Sequence, residues 1–247
     1  MLWAIYKFFE RKKVPKKYVF LIEELANGLC NIWDKTHFTK KTQGLWEYYH
    51  CYPDLDENHT YSLAACARGL NLANKIITNK RWETVSKQMI KQIKQRYDHK
   101  LNYFTRTTGK IKLLKIDASL IGLAYPFDIV KPNDERMIKT IEIMEAKIMV
   151  DTGLLRYEYD TYDAWAFEGG YMGKGAGSWP LLNFWLVIYY HLSGNKKSAL
   201  SLYNKTLKQF EDYIPEQVFD NDIQQSVKPL AWAHAMFILA TKELGLI

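Results

Sequence analysis

The sequence predicts an all-α fold built as an α/α toroid, in which helices apolar on most faces alternate with helices apolar along one stripe. Three observations lead there. Helical periodicity runs nearly the whole length of the chain, while strand signals are few. Segments apolar all round, which need protein on every side, alternate with one-stripe segments, which keep a face in solvent. Polar, aromatic-rich connections recur where a one-stripe helix leads into an apolar one, and in an alternating ring such connections emerge at one end, where a site can be built on a rigid scaffold.

Taken in order, a first helix runs from Met1 and ends before Pro15, and a second covers Lys17 to Asp34. After a connection containing Trp46 and Glu47, a third spans Thr60 to Ile77, with Leu63, Cys66, Ala67, Leu70, Ala73 and Ile77 at helical spacing. A fourth, Arg81 to Tyr97, places Trp82, Val85, Met89 and Ile93 on one stripe with lysines opposite. Tyr103 to Ile111 reads as a hairpin turning at Gly109. The stretch Ala118 to Phe127 is apolar almost all round, and Asn133 is expected to cap an amphipathic helix carrying Met137, Ile141, Met144 and Ile148. Trp179 to Leu192 is again apolar throughout. Asn195 caps the next helix, with Leu200, Tyr203, Leu207 and Phe210 as its stripe, and Pro229 opens a mostly apolar helix through Leu244.

Composition narrows the chemistry. A chain of 247 residues with 48% hydrophobic content buries a substantial core. Eight Trp and seventeen Tyr supply rings that fill cores and stack on flat ligands such as sugars. The net charge of +7 is spread along helical segments instead of being gathered into a nucleic-acid motif; only Arg11-Lys12-Lys13 with Lys16-Lys17 clusters. Cys30, Cys51 and Cys66 have no metal-ligand spacing and an odd count, which leads to the expectation of a reducing, cytoplasmic location. The apolar run Leu2 to Phe9 precedes its basic residues, the reverse of a secretory signal, and no apolar run spans a membrane without interruption. No two His fall at ligand spacing with a carboxylate partner, which disfavours a metalloenzyme, and the two-carboxylate chemistry below requires no cofactor.

Two carboxylates stand out. Glu47 sits among Trp46, Tyr48 and Tyr49, surroundings that disfavour its charged form and suit a general acid. Glu216 follows Pro215, which restricts the backbone presenting it, and suits a general base. Such a pair flanking a cleft can cleave a glycosidic bond. Between them, Arg156, Tyr157, Asp160 and Tyr162 offer fixed donors, acceptors and stacking faces for a sugar, followed by Gly169, Gly170, Gly173, Gly175 and Gly177. A phosphate loop is the rival for those glycines, but no strand precedes them and no Gly-Lys-Ser/Thr closes them.

Ordered motifs now meet a family. Leu45-Trp46-Glu47 with Tyr61-Ser62, Asp117-Ala118-Ser119-Leu120, Tyr125-Pro126-Phe127 and Pro132-Asn133-Asp134 come first. Arg156-Tyr157 with Asp160-Thr161-Tyr162, Gly177-Ser178-Trp179-Pro180, Pro215-Glu216-Gln217 and Pro229 to Ala235 follow. From about Gly44 onward this order and spacing resembles glycoside hydrolase family 15, the glucoamylase, glucodextranase and trehalase family, whose catalytic domain is an (α/α)6 toroid.

The resemblance implies an inverting glycosidase with Glu47 as general acid and Glu216 as general base, the carboxyl groups standing roughly 6.5 to 9.5 Å apart. It implies that Arg156 and Asp160 shape the site for the terminal glucose, with Tyr157 and Trp232 as pocket walls, Tyr162 on the same loop and Trp46 beside the acid. The implied substrate is an α-glucan attacked at its non-reducing ends. The alternatives are trehalase or another α-glucoside hydrolase and, in a different class, a non-catalytic carbohydrate-binding remnant or half of a split enzyme. Periodicity gives about nine helices where the family toroid has six inner and six outer ones. Nothing in residues 1–41 matches the family's Trp-x-Arg-Asp type motif. The expectation is a single glucoamylase-like catalytic domain over 1–247 that lacks its N-terminal helices, with a separately encoded N-terminal half or self-association completing it.

Overall fold

Hydrophobic residues three and four apart bury one face of each helix, and this pairing builds the computed structural model, which describes residues 1–10, 12–46, 58–107, 114–163 and 175–247. The chain divides into two units, residues 1–114 with 126–129 and residues 115–125 with 130–247.

In the first unit, α1 (Leu2–Phe9) and α2 (Lys16–Asn31) precede α3 (Thr60–Ile76) and α4 (Lys80–Lys94). Helix α3 is rich in small apolar residues, so neighbours approach it closely: Leu63, Ala64, Ala67, Leu70, Leu72 and Ala73 are all buried. A side chain at Gly69 would press on Leu2 of α1, with a Cβ at 3.3 Å from it. By contrast, α4 buries one stripe, Trp82, Val85, Ser86, Met89 and Ile93. It starts on Asn79, whose side chain accepts from the backbone N–H of Arg81 and Trp82. The Trp82 indole donates to Asn27 of α2 at 2.8 Å, which satisfies a buried donor while the ring fills the core.

The second unit opens with a short 3₁₀ helix, Ala118–Leu123, then α5 (Glu135–Ile148), α6 (Pro180–Leu192), α7 (Lys196–Leu207) and α8 (Ala231–Glu243). Helix α6 is its centre: every residue from Pro180 to Tyr189 is buried. Polar atoms on it are partnered accordingly, Trp185 Nε1 to the Tyr125 carbonyl at 2.6 Å and the Tyr189 hydroxyl to the Pro132 carbonyl at 2.9 Å. The rings of Tyr203 on α7 and Phe237 on α8 stack at 6.1 Å, and Phe184 of α6 packs on Phe237.

Short two-stranded hairpins follow three of the helices: β1 (Trp33–Asp34) with β2 (His37–Phe38) after α2, β3 (Tyr97–Asp98) with β4 (Tyr103–Phe104) after α4, and β5 (Met149–Val150) with β6 (Gly153–Leu154) after α5. Each closes on a large apolar pair, Trp33 with Phe38, Tyr97 with Phe104 and Met149 with Leu154. In each, the residue on the second strand is buried.

Several expectations are corrected. Helices α2 and α4 stop three residues short of their expected ends, at Asn31 and Lys94, because Trp33-Asp34 and Tyr97-Asp98 are claimed by hairpins. Tyr103 and Phe104 pair backward with Tyr97 and Asp98, and the hairpin expected across Gly109 falls on residues outside those described. The reason is local: the Asp98 carboxylate accepts from the N–H of Lys100 and Leu101, and Asn102 takes the left-handed conformation, φ 59°, that closes the turn. The helix expected over Ala118 to Phe127 is the six-residue 3₁₀ turn. Asp134, not Asn133, caps α5 by accepting from Arg136 N–H, and α8 begins at Ala231, two residues after Pro229. Alternation holds through α3 to α7 with the fully buried 3₁₀ segment standing between α4 and α5, but α8 buries only Ala233, Met236, Ala240 and Thr241, leaving Ile238 exposed.

Candidate active site

The second unit assembles most of the sequence-predicted site around Glu216. Hairpin β5–β6 aims the chain that leaves it: Gly153 at its turn has φ 134°, and Asn183 of α6 clamps the turn by accepting from Leu154 N–H and donating to the Thr152 carbonyl. A side chain at Gly153 would overlap the Asn183 carboxamide, so glycine is required there.

Residues after β6 then pair with the segment before the 3₁₀ helix, through Ala118 N–H to the Arg156 carbonyl and Glu158 N–H to the Ile116 carbonyl. Arg156 is thereby held on a fixed backbone. The turn that follows has Tyr159 at φ 64°, a strained conformation for an aromatic residue. It folds Asp160 back onto Arg156, where the carboxylate accepts from Nε and Nη2, both at 2.8 Å.

That pair is deep, with 11% of the Arg156 side chain exposed and none of that of Asp160. Burial works against the Arg156 charge, but the hydrogen bonds and charge of Asp160 outweigh it, helped by Tyr157 and Tyr162, and its pKa is raised. The guanidinium plane lies 5.2 Å from the ring centre of Tyr157, 4.7 Å from Tyr162 and 5.1 Å from Trp179. A locked, aromatic-flanked cation of this kind is a rigid surface on which polar ligand groups can be oriented.

Glu216 comes from the extended stretch before α8. Its N–H donates to the Val227 carbonyl, Leu230 N–H donates to the Ile214 carbonyl, and Val218 exchanges both backbone bonds with Ser178. Gln217 tightens the arrangement: its N–H donates to Ser226 Oγ, and its Nε2 donates to the carbonyls of Tyr162 and Gly177. The Tyr162 hydroxyl then donates to Glu216 Oε2 at 3.2 Å. Burial raises the Glu216 pKa, opposed by that hydrogen bond and by the Arg156 charge. Burial and the neighbouring Glu216 likewise raise the pKa of Tyr162, so its hydroxyl keeps its proton and remains a donor.

Arg156, Tyr157, Asp160, Tyr162 and Glu216 therefore meet in one place. Tyr157 is buried against Arg156 and supports the cation. Trp232 lies on the first turn of α8, 38% exposed, two residues beyond the Leu230 bond that anchors this stretch. Trp46 belongs to the first unit, in a turn with Leu45 and partly buried. Glu47 lies outside the described residues, as do Gly169, Gly170 and Gly173.

Two residues escaped the sequence-based selection: Trp179, whose ring flanks Arg156 and lies 6.2 Å from that of Tyr162, and Gln217. Both stand inside the ordered motifs, Gly177-Ser178-Trp179-Pro180 and Pro215-Glu216-Gln217.

Known proteins share this architecture. The chain is 20% identical to a solved wild-type glycosidase, with a TM-score of 0.70 over 89% of this chain and 58% of that one. The same values hold for a solved glycosidase variant in complex with glucose. In sequence it is 28% identical to the uncharacterized glycosyl hydrolase MJ1610 of Methanocaldococcus jannaschii, covering 98% of this chain and 40% of that protein. It is also 28% identical to a glucoamylase of Clostridium sp. over 50% of this chain and 18% of the relative. The chain thus spans well under two thirds of the length of the relatives it matches. The profile of the glycosyl hydrolases family 15 matches residues 1–242, which include the first two helices, and the chain belongs to that family.

Proposed function

We propose that this chain carries the acid and base of an inverting glycoside hydrolase of the glucoamylase type, which releases glucose from the non-reducing ends of α-glucans. The observation that carries this reading is the setting of Glu216: a half-buried carboxylate whose Oε2 accepts from Tyr162, beside the Arg156–Asp160 pair. In this scheme Glu216 takes a proton from a water molecule as that water attacks the anomeric carbon. Glu47 donates its proton to the glycosidic oxygen as the bond from the anomeric carbon to that oxygen breaks. Attack opposite to the leaving group turns an α-linkage into β-glucose. Arg156 and Asp160 shape the subsite for the terminal glucose, and Trp179 and Trp232 offer it apolar faces.

Family membership supports this assignment, as does similarity to a glucoamylase and, at 25% identity over 53% of this chain, to an isomaltose glucohydrolase of Kribbella flavida. Maltotriose, isomaltose and trehalose, assayed side by side for glucose release, separate the linkages. Glu47→Gln and Glu216→Gln are each expected to lower kcat by about 10² to 10⁴. Proton NMR of the first product formed reports its anomer. Unchanged turnover in either variant removes that residue from its role, and α-glucose as the first product refutes inversion.

A further inference from the structure

The second unit contains a cavity of about 430 Å³ that the mechanism above does not use. Ligand pockets typically measure about 300 to 1,000 Å³. Both chain neighbours of Glu216, Pro215 and Gln217, line the cavity, whereas Glu216 does not. The rings of Phe210, Tyr213 and Phe219 share the wall with the carboxamides of Gln209 and Gln217.

The two amides have a fixed orientation. Gln209 Nε2 donates to the Thr152 carbonyl at 2.7 Å, and Gln217 Nε2 donates to the carbonyls of Tyr162 and Gly177 at 3.0 and 3.1 Å. Their oxygens are therefore identified by the partners of their nitrogens. Both oxygens are buried with no hydrogen-bond donor, and Gln217 as a residue is 2% exposed. Unsatisfied buried acceptors are uncommon, and these two, on side chains that line one cavity, can accept from a donating ligand once the side chains turn toward it.

Phe219 is an ordered platform because Gly177 lacks a side chain. A Cβ there would meet the Val218 carbonyl oxygen at 2.6 Å and the Phe219 ring at 2.8 Å. The remaining charges on the wall, Glu211 and Asp212 against Lys228, give no excess of cation for a phosphate. Among the described residues no cluster of three or more His, Cys, Asp or Glu side chains is placed to hold a metal ion. Hydroxyl donors on a ring that can lie on an aromatic face fit what is left.

We propose that this cavity is a second, non-catalytic saccharide site, holding a glucosyl unit whose hydroxyls donate to Gln209 and Gln217 while its ring lies on Tyr213 or Phe219. The assignment rests on the carbohydrate class of substrate proposed above. Both amide oxygens are covered by protein, so their engagement includes a shift of the two side chains, and the amide groups themselves become the reporters. Through Gln217, occupancy is also felt at the carbonyls of Tyr162 and Gly177, and Tyr162 in turn donates to Glu216.

The test uses the Glu216→Gln chain, so that maltotriose survives titration, and follows side-chain amide signals by ¹⁵N–¹H NMR. Saturable shifts of the Gln209 and Gln217 amides are expected. Tyr213→Ala, at an exposed position that leaves the fold intact, should weaken that binding about tenfold. Phe219→Leu, which keeps apolar packing on Gly177, should act in the same direction. The site is refuted if maltotriose moves no amide signal, if it moves only signals near Arg156 and Tyr162, or if neither substitution changes the affinity. The hydrolase reading stands or falls separately, on glucose release by the chain that retains Glu216.

Discussion

At Glu216, burial favours the protonated acid while the Tyr162 hydrogen bond and the Arg156 charge favour the carboxylate, and burial prevails. In its proposed role as general base Glu216 must be ionised, so the predicted activity is lost as pH falls through this raised pKa. The acid limb of kcat/KM is therefore expected above the ordinary glutamate value of about 4.3. Tyr162→Phe removes a bond that stabilises the charged form, so it should move that limb further up and lower kcat more than it changes KM. A limb that stays in place shows that Tyr162 acts elsewhere. Arg156, Asp160 and Tyr162 were legible because their residue types lie within a few positions of one another. Gln217 was not, since its work is to join three backbone segments that only the fold brings together. Trp179 lies in a motif, but its place against Arg156 depends on the fold, which ties its N–H to the Leu154 carbonyl.

Among the elements, hairpin β5–β6 is the one on which the site depends. Asn183 is wholly buried and holds the turn at two backbone groups, so Asn183→Leu would leave the Leu154 N–H without its acceptor, while the Thr152 carbonyl keeps its bond from Gln209, costing about 1 to 3 kcal/mol. Gly153→Ala would both overlap Asn183 and strain the backbone. Thermal unfolding should show a lowered midpoint for each variant, and an unchanged midpoint would exclude the clamp as a stabilising contact. The long helices were readable to within a few residues because their stripes repeat over several turns, as along Trp82, Val85, Met89 and Ile93. Each hairpin strand is two residues long, too short to show an alternating pattern, so Trp33-Asp34 and Tyr97-Asp98 read as the last turn of a helix. The cap at Asp134 was missed by one residue because Asn133 is an equally good capping type.

For the molecule as a whole, the net charge of +7 is the property most open to misreading. A glucan is neutral, so its KM should stay flat over an about tenfold range of salt, whereas a polyanion would lose affinity steeply as salt rises. A strong salt dependence of substrate binding would contradict the glucan assignment. The helical class of the fold was legible because inner and outer helices differ in how many faces are apolar, a contrast plain between α3 and α4 and between α6 and α7. It failed at α8, whose apolar composition does not reveal which faces are covered. The hairpins, finally, bear on how such a chain can change over time. Each ends on a buried residue, Phe38, Phe104 or Leu154, just before a connection leading toward the next helix. Whatever sequence fills that connection sets out from an anchored point and makes no demand on the helix behind it. Such connections can thus vary between their own anchored residues, which leaves substrate preference free to diverge while the helices are inherited intact.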